Sequence, residues 1–171
     1  MTGFLVRRAP ALLPLMLSAT AVAAPVPASQ NASGAASILR PLTILKQSDM
    51  DFGELVVAGA GTAVIDPFSG ALSTTGLVTH VGPPARPAVF TTTGSRTSNV
   101  HIRIPQSPIT LTRVGGTQTM TVSGWTLDGN QNRKFPQNAA FNFAVGATLT
   151  VAAGQTDGTY LGTFDVTVQY P

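Results

Sequence analysis

Apolar residues in this chain recur at every second position, in short runs closed by glycine, proline, asparagine or aspartate. "SNVHIRIP" sets Val100, Ile102 and Ile104 on one side and His101 and Arg103 on the other. "AFNFAVGATLTVAAG" alternates through Phe141, Phe143, Val145, Leu149 and Val151. Period two places successive side chains on opposite faces of a pleated strand. No segment from Ile38 onward carries the 3.6-residue recurrence of an amphipathic helix, so an all-β domain is expected. Abundant Val and Thr suit a half-buried pleated surface.

Further strands follow the same rule. "ASILRPLTILK" is expected to turn Ile38, Leu42 and Ile44 inward, with Pro41 marking an edge or an interruption. "DMDFGELVVAG" carries Met50 and Phe52, then Leu55 and Val57 after a phase shift at Gly53 that fits a bulge or bend. "GTAVIDP" and "GLVTHVG" are short apolar runs, and "RPAVFTTTG" points Phe90 inward. "PITLTRVGGTQTMTVSGW" forms a hairpin, Ile109 and Leu111 turning through Gly115-Gly116 to Met120 and Val122. The last strand, Tyr160 to Tyr170, alternates Phe164, Val166 and Val168 with polar residues and would span over 30 Å at ~3.3 Å per residue. So long a strand is expected to be central, with neighbours on both sides, because an exposed edge of that length invites aggregation. Short strands without crossover helices predict an antiparallel Ig-like β-sandwich, with a jelly roll or barrel as the alternative.

The N-terminus carries an address. Arg7 and Arg8, the apolar "APALLPLMLSATAVA" and the small residues Ala21-Val22-Ala23 read as a Sec-type signal peptide over residues 1–23. The apolar run is short for a membrane span and contains two prolines. Export to the periplasm, cell surface or medium is expected, with no membrane span after cleavage. Residues 24–37, "APVPASQNASGAAS", form an Ala/Pro/Ser-rich segment expected to be flexible, and residues 38–171 form the sandwich domain. Two of the ten basic residues fall in the leader, leaving eight against seven acidic ones. Beyond Arg133-Lys134 there is no basic cluster, so a nucleic-acid partner is not supported. The chain has no cysteine, which excludes disulfides, thiolate metal sites and a cysteine nucleophile.

Chemistry-bearing residues are sparse. His80 and His101 have no further ligands at metal-binding spacing, and His101 lies on the polar, solvent-facing side of its strand. "DGNQN", Asp128 to Asn132, opens like a calcium loop, but Arg133 and Lys134 follow it and no Glu occurs after Glu54. A surface loop is expected there. "GAGTAV", Gly59 to Val64, lacks the third glycine and the helix of a phosphate-binding turn and reads as a flexible connection. Asp49 and Asp51 read as two solvated acids. Asn31-Ala32-Ser33 matches the glycosylation pattern. Trp125, the one tryptophan, is expected to be a buried anchor beside Val122 and Leu127, the alternative being an exposed sugar-stacking platform. No catalytic residue, cofactor-binding residue or metal ligand is assigned, and the protein is not expected to be an enzyme.

Three stretches together resemble a family of small exported bacterial proteins, domain of unknown function 4402. They are "PLTILKQSDMDFGELVVAGAGT", "VGGTQTMTVSGW" and "FAVGATLTVAAGQTDGTYLGTFDVTVQY". That family is in turn similar to spore-coat-U and archaic chaperone–usher pilin domains, which share an early F-G motif and a closing strand that ends in tyrosine. Many spore-coat-U-type domains carry cysteines, and here Pro171 follows the last tyrosine. The resemblance implies a structural surface protein, pilin-like, that assembles by β-strand addition with other copies of itself or with a periplasmic chaperone. Residues 24–37 supply either a candidate donor strand, with Ala24, Val26, Ala28, Ala32 and Ala36 at even positions running on to Ile38 and Gln30 and Gly34 interrupting the series, or a flexible spacer. The alternative function is a self-contained binding module for a glycan, lipid or envelope protein.

Overall fold

The structure, a computed structural model, describes residues 33–171. The expected signal peptide and most of the segment after it lie outside the described residues. The compact unit Ser37–Pro171 carries every strand described. These are β1 (Thr43–Ser48), β2 (Glu54–Ile65), β3 (Leu72–Val81), β4 (Ala88–Thr93), β5 (Asn99–Arg103), β6 (Ile109–Arg113), β7 (Thr119–Leu127), β8 (Asn132–Lys134), β9 (Ala140–Val151), β10 (Tyr160–Leu161) and β11 (Thr167–Gln169). All pairings are antiparallel.

β9 organises the molecule. One of its edges pairs with β7; the other pairs first with β4, from Ala140 to Val145, and then with β2, from Thr148 to Val151. An eight-stranded sheet results, in the order β1-β4-β9-β7-β6-β10, with β2 and β3 joined to the far half of β9. A second sheet of three strands runs β11-β5-β8. Of the residues of β9 expected inward, Phe143, Val145, Leu149 and Val151 are buried and Phe141 is half-buried; the alternation is blurred at the centre, where every residue from Phe143 to Ala147 is buried. Its first half packs Phe143 and Val145 with Ala88 and Phe90 against Ile102 and Ile104 of the small sheet side, which makes the molecule a β-sandwich. Its second half packs Leu149 and Val151 with Ala63, Val78, Met120 and Val122, all from the larger sheet curling on itself.

The outer face is hydroxyl-rich for the same periodic reason. Thr110, Thr121, Thr150, Thr62 and Thr75 face one another in register across β6, β7, β9, β2 and β3. Thr62 and Thr75 share a hydrogen bond of 2.7 Å, a cross-strand pair of the kind that stabilises sheets.

Four expectations are corrected. The closing segment is not one long central strand: Tyr160–Leu161 pairs with β6 in the large sheet, and Thr167–Gln169 pairs with β5 in the small one. The chain switches sheets around Gly162, whose missing Cβ would sit 2.7 Å from Leu111 Cδ2 and 2.8 Å from the Thr110 carbonyl. "GAGTAV" is no connection but the middle of β2, which runs unbroken into "GTAVIDP". Ile38 and Ile44 do not point into the core; they are 96% and 40% exposed, because β1 is the edge of its sheet and Ile38 precedes it. His101 is half-buried rather than solvent-facing, its Nδ1 2.6 Å from Asn132 Oδ1 on the neighbouring β8.

The two ends of the domain are clasped together. The Tyr170 hydroxyl donates to the Arg40 carbonyl (2.8 Å) and accepts from the Ser95 amide (2.7 Å), while the Arg40 amide donates to Ser95 Oγ (2.5 Å). Tyr170→Phe removes two bonds worth ~1 kcal/mol each. We expect a loss of about 1–2 kcal/mol on thermal denaturation together with faster exchange of the Ser95 amide. Unchanged exchange at Ser95 would show that the clasp does not hold in solution.

Candidate functional site

The inner face of the curled half is not fully covered. A cleft of about 740 Å³ opens over it. Its floor is Ile109, Leu111, Met120, Val122, Trp125 and Leu149, from β6, β7 and β9. One wall is the segment from Asp49 into β2, carrying Met50, Phe52, Leu55 and Val57; the other runs from Gln155 through β10 to Phe164.

Local geometry builds each part. In β7, Gly124 (φ 59°) and Trp125 together oppose a single residue of β9, a bulge with glycine in the left-handed region. The extra residue shifts the alternation, so Met120, Val122, Trp125 and Leu127 all serve the inner face. Gly53 (φ 72°) shifts the phase of the first wall as the sequence suggested, and a Cβ there would lie 2.6 Å from His80 Nε2. The second wall is tied down at its top. The Tyr160 hydroxyl donates to the Thr156 carbonyl (2.6 Å) and accepts from Gln155 Nε2 (2.7 Å), while Arg113 Nε donates to the Asp157 carbonyl (2.6 Å).

Trp125 is half-buried, between the two readings the sequence allowed. Its indole N–H donates to the Ser107 carbonyl (3.1 Å), and its ring lies against Phe164 with centroids 4.7 Å apart. It touches both apolar clusters and also lines the cleft. A smaller hollow of about 400 Å³ lies on the other side of Phe164, against the loop from Arg103 to Ile109.

Both walls present strand edges with no strand partner among the described residues. Residues Glu54 to Val57 pair with β3 on one side only, since β9 is met only from Gly61 onward. β10 pairs with β6 and ends its sheet. Backbone N–H and C=O groups on such edges are free to template another chain. The cleft therefore couples an apolar floor with two open backbone rails.

The other candidates lie apart from one another. His80 Nε2 meets the Pro83 carbonyl at 3.0 Å. Asp49 pairs with Lys46 and Asp51 with Arg86, at the cleft rim. The Asp128–Asn132 stretch is a loop closed by Arg133, whose guanidinium reaches Asp128 at 2.5 Å where a bound cation would have to sit. Among the described residues no three His, Asp or Glu side chains gather as a metal site would need, and no helix is long and apolar enough to cross a membrane. Sequence reasoning assigned Leu55, Val57, Leu111 and Tyr160-Phe164 to the core and missed that they border an opening. The signal available was Gly162, a glycine in a strand pattern, which marks a break or a close approach.

The fold and cleft define an antiparallel all-β sandwich domain with an uncovered strip of core. Residues 42–170 match the family model described as domain of unknown function (DUF4402), and the chain belongs to that family. No curated protein and no solved structure matches the chain.

Proposed function

We propose that the domain is a strand-accepting structural subunit, exported and without catalytic activity, whose sandwich is completed by an extended segment of another polypeptide. The observation that carries this is the pairing of an apolar floor with two unpartnered strand edges along one cleft. An inserted strand would gain main-chain hydrogen bonds from the walls and bury alternate side chains on the floor, the two components of β-strand addition. A second reading, a self-contained module for an apolar ligand, has the cleft's size in its favour, since about 740 Å³ falls in the small-molecule range of roughly 300–1,000 Å³.

The two readings differ at the backbone. A synthetic peptide of alternating Val and Thr is expected to shift Trp125 emission to shorter wavelength and to slow exchange of amides in Glu54–Val57 that β3 does not hold. A small apolar ligand would shift the emission and leave those amides unprotected. Peptide binding without amide protection, or no binding at all, would remove the strand-accepting function.

A further inference from the structure

We propose that the pole of the domain where Ile38, Arg40, Arg96 and Lys134 meet is a docking surface for an anionic lipid bilayer. This goes beyond the strand-accepting function and does not depend on it.

Along the chain only Arg133 and Lys134 are basic neighbours. The fold brings two more cations beside them. The Arg40 amide donates to Ser95 Oγ (2.5 Å), and Arg96 follows Ser95 in the turn before β5. That turn is fastened to the end of β8: the Thr97 amide donates to the Phe135 carbonyl (3.1 Å), and the Phe135 amide donates to the Ser98 carbonyl (2.9 Å). Lys134 precedes Phe135 and faces Asn99 in register. Thr97 holds φ 57°, a left-handed conformation that a β-branched residue rarely adopts. Such a conformation persists only where neighbours over-determine it, so Arg96 is presented from a fixed backbone.

The charge at this pole is uncompensated. Arg133 is paired with Asp128. Arg40, Arg96 and Lys134 are exposed, and among the described residues their side chains have no ion pair. No Asp or Glu occurs in residues 33–43, 93–99, 132–140 or 167–171, which build the pole. Carboxylates gather elsewhere, with Asp49, Asp51, Glu54 and Asp157 all lining the cleft. Like charges held together without a counter-charge repel one another and draw in an anion.

The apolar residues beside them select the kind of anion. Ile38 is 96% exposed, the most exposed large apolar residue of the described domain, and Leu39 is 44% exposed. Both directly precede Arg40. An aliphatic tip ringed by cations suits a membrane interface, where the aliphatic groups enter the boundary of headgroups and acyl chains and the cations hold anionic headgroups. A soluble polyanion would engage the cations and leave Ile38 in water. Three free cations also supply little of the phosphate neutralisation that holds proteins on nucleic acid. The pole has a defined orientation. It lies where Thr93 faces Ala140 at the start of β9, and the cleft floor reaches Leu149, nine residues further on and roughly 30 Å away at ~3.3 Å per residue. A domain docked by this pole turns the far end of its cleft away from the bilayer, toward an incoming strand.

The test is sedimentation of the exported chain with vesicles of equimolar phosphatidylcholine and phosphatidylglycerol, and with vesicles of phosphatidylcholine alone. Binding to the first and not to the second is expected, weakening as salt rises. Arg40→Gln, Arg96→Gln and Lys134→Gln should each weaken it about fivefold, and the triple variant roughly a hundredfold. These side chains support no bond in the fold, and the variants share residues 1–37, so any affinity of that segment cancels in the comparison. Arg103→Gln is the control. It removes the same charge from an exposed residue four positions beyond Asn99 on β5, roughly 13 Å at ~3.3 Å per residue and outside the ~8 Å screening length. It should leave binding nearly unchanged; a loss equal to that of Lys134→Gln would overturn the proposal in favour of a general charge effect. Because the chain has no cysteine, one label can be placed at will. An environment-sensitive fluorophore on Ile38→Cys should shift to shorter wavelength with the phosphatidylglycerol vesicles, while the same label on Leu161→Cys, at the cleft wall, should not. A shift at Leu161 alone would overturn the proposal in favour of the cleft face. Charge-dependent binding with no shift at Ile38 would overturn it in favour of a soluble polyanion, for which inorganic polyphosphate is the competing probe. Equal binding to both vesicles, or to neither, would overturn it outright. Each of these failures leaves the strand-accepting function to its own peptide test.

Discussion

Phe143→Ala is expected to lower the unfolding free energy by about 3–5 kcal/mol, the usual cost of truncating a fully buried aromatic. Phe143 is 1% exposed, faces Phe90 in register, and stacks on it with ring centroids 5.4 Å apart. Phe141 lies 6.3 Å away and the Arg133 guanidinium 6.0 Å from the ring, so the Phe90, Phe141 and Arg133 side chains close around the space the mutation would empty. β9 is paired with β4 at this level, and on its other edge the Ala144 carbonyl accepts from the Asp128 amide (3.1 Å) where the pairing with β7 ends, which restrains the strand from shifting into the void. Against a total stability of ~5–15 kcal/mol the loss is severe, and the melting midpoint should fall by roughly 10–20 °C. A loss below ~1 kcal/mol would mean that the layer between the two sheets is not where the structure places it.

Gly76→Ala should be of similar size for a different reason. Gly76 has φ 69°, and a Cβ there would run into the Ala60 carbonyl and lie 2.8 Å from Gly61 Cα. Its register partner Gly61 is equally constrained, a Cβ meeting the Thr75 carbonyl and coming within 2.8 Å of Val78 Cγ2. Left-handed backbone costs an alanine ~1–2 kcal/mol, and forcing atoms into packed space adds ~1–3 kcal/mol. The expected total is about 2–5 kcal/mol, measured by urea denaturation. The site has a second consequence. Just beyond this pair, Ala58, Gly59 and Ala60 of β2 face only Leu77 of β3, so the hairpin bends here and carries Leu55 and Val57 to the cleft wall. Gly76→Ala should therefore also weaken strand-peptide binding in the molecules that remain folded. Full stability would contradict the close approach of β2 and β3.

Much of the fold was legible because alternation reports which face a side chain takes. The β6–β7 hairpin, the inner face of β9 and the phase shift at Gly53 all follow from it. Alternation does not report which strand lies alongside. Tyr160 to Tyr170 keeps period two through Phe164, Val166 and Val168, with Leu161 the one apolar residue out of phase, yet its two ends belong to different sheets. Ile38 continues the pattern of β1 but precedes an edge strand, so nothing covers it. The cleft stayed hidden for the same reason: Leu55, Leu111 and Phe164 carry the signature of core residues whether or not a neighbour covers them.

The clasp at Tyr170 has a mechanical consequence. It joins the start of the domain at Arg40 to its last tyrosine, and both lie below the first residues of β1, β4's end and β9's start. Tension applied through the residues before Arg40 is therefore carried lengthwise along β1 and shared with the C-terminal strand. Hydrogen bonds in an antiparallel ladder stand across the strands. Lengthwise load falls on the whole β1–β4 ladder at once, in shear, instead of peeling its bonds apart singly. Cutting the clasp with Tyr170→Phe should lower the force needed to extract β1 far more than it lowers the melting temperature.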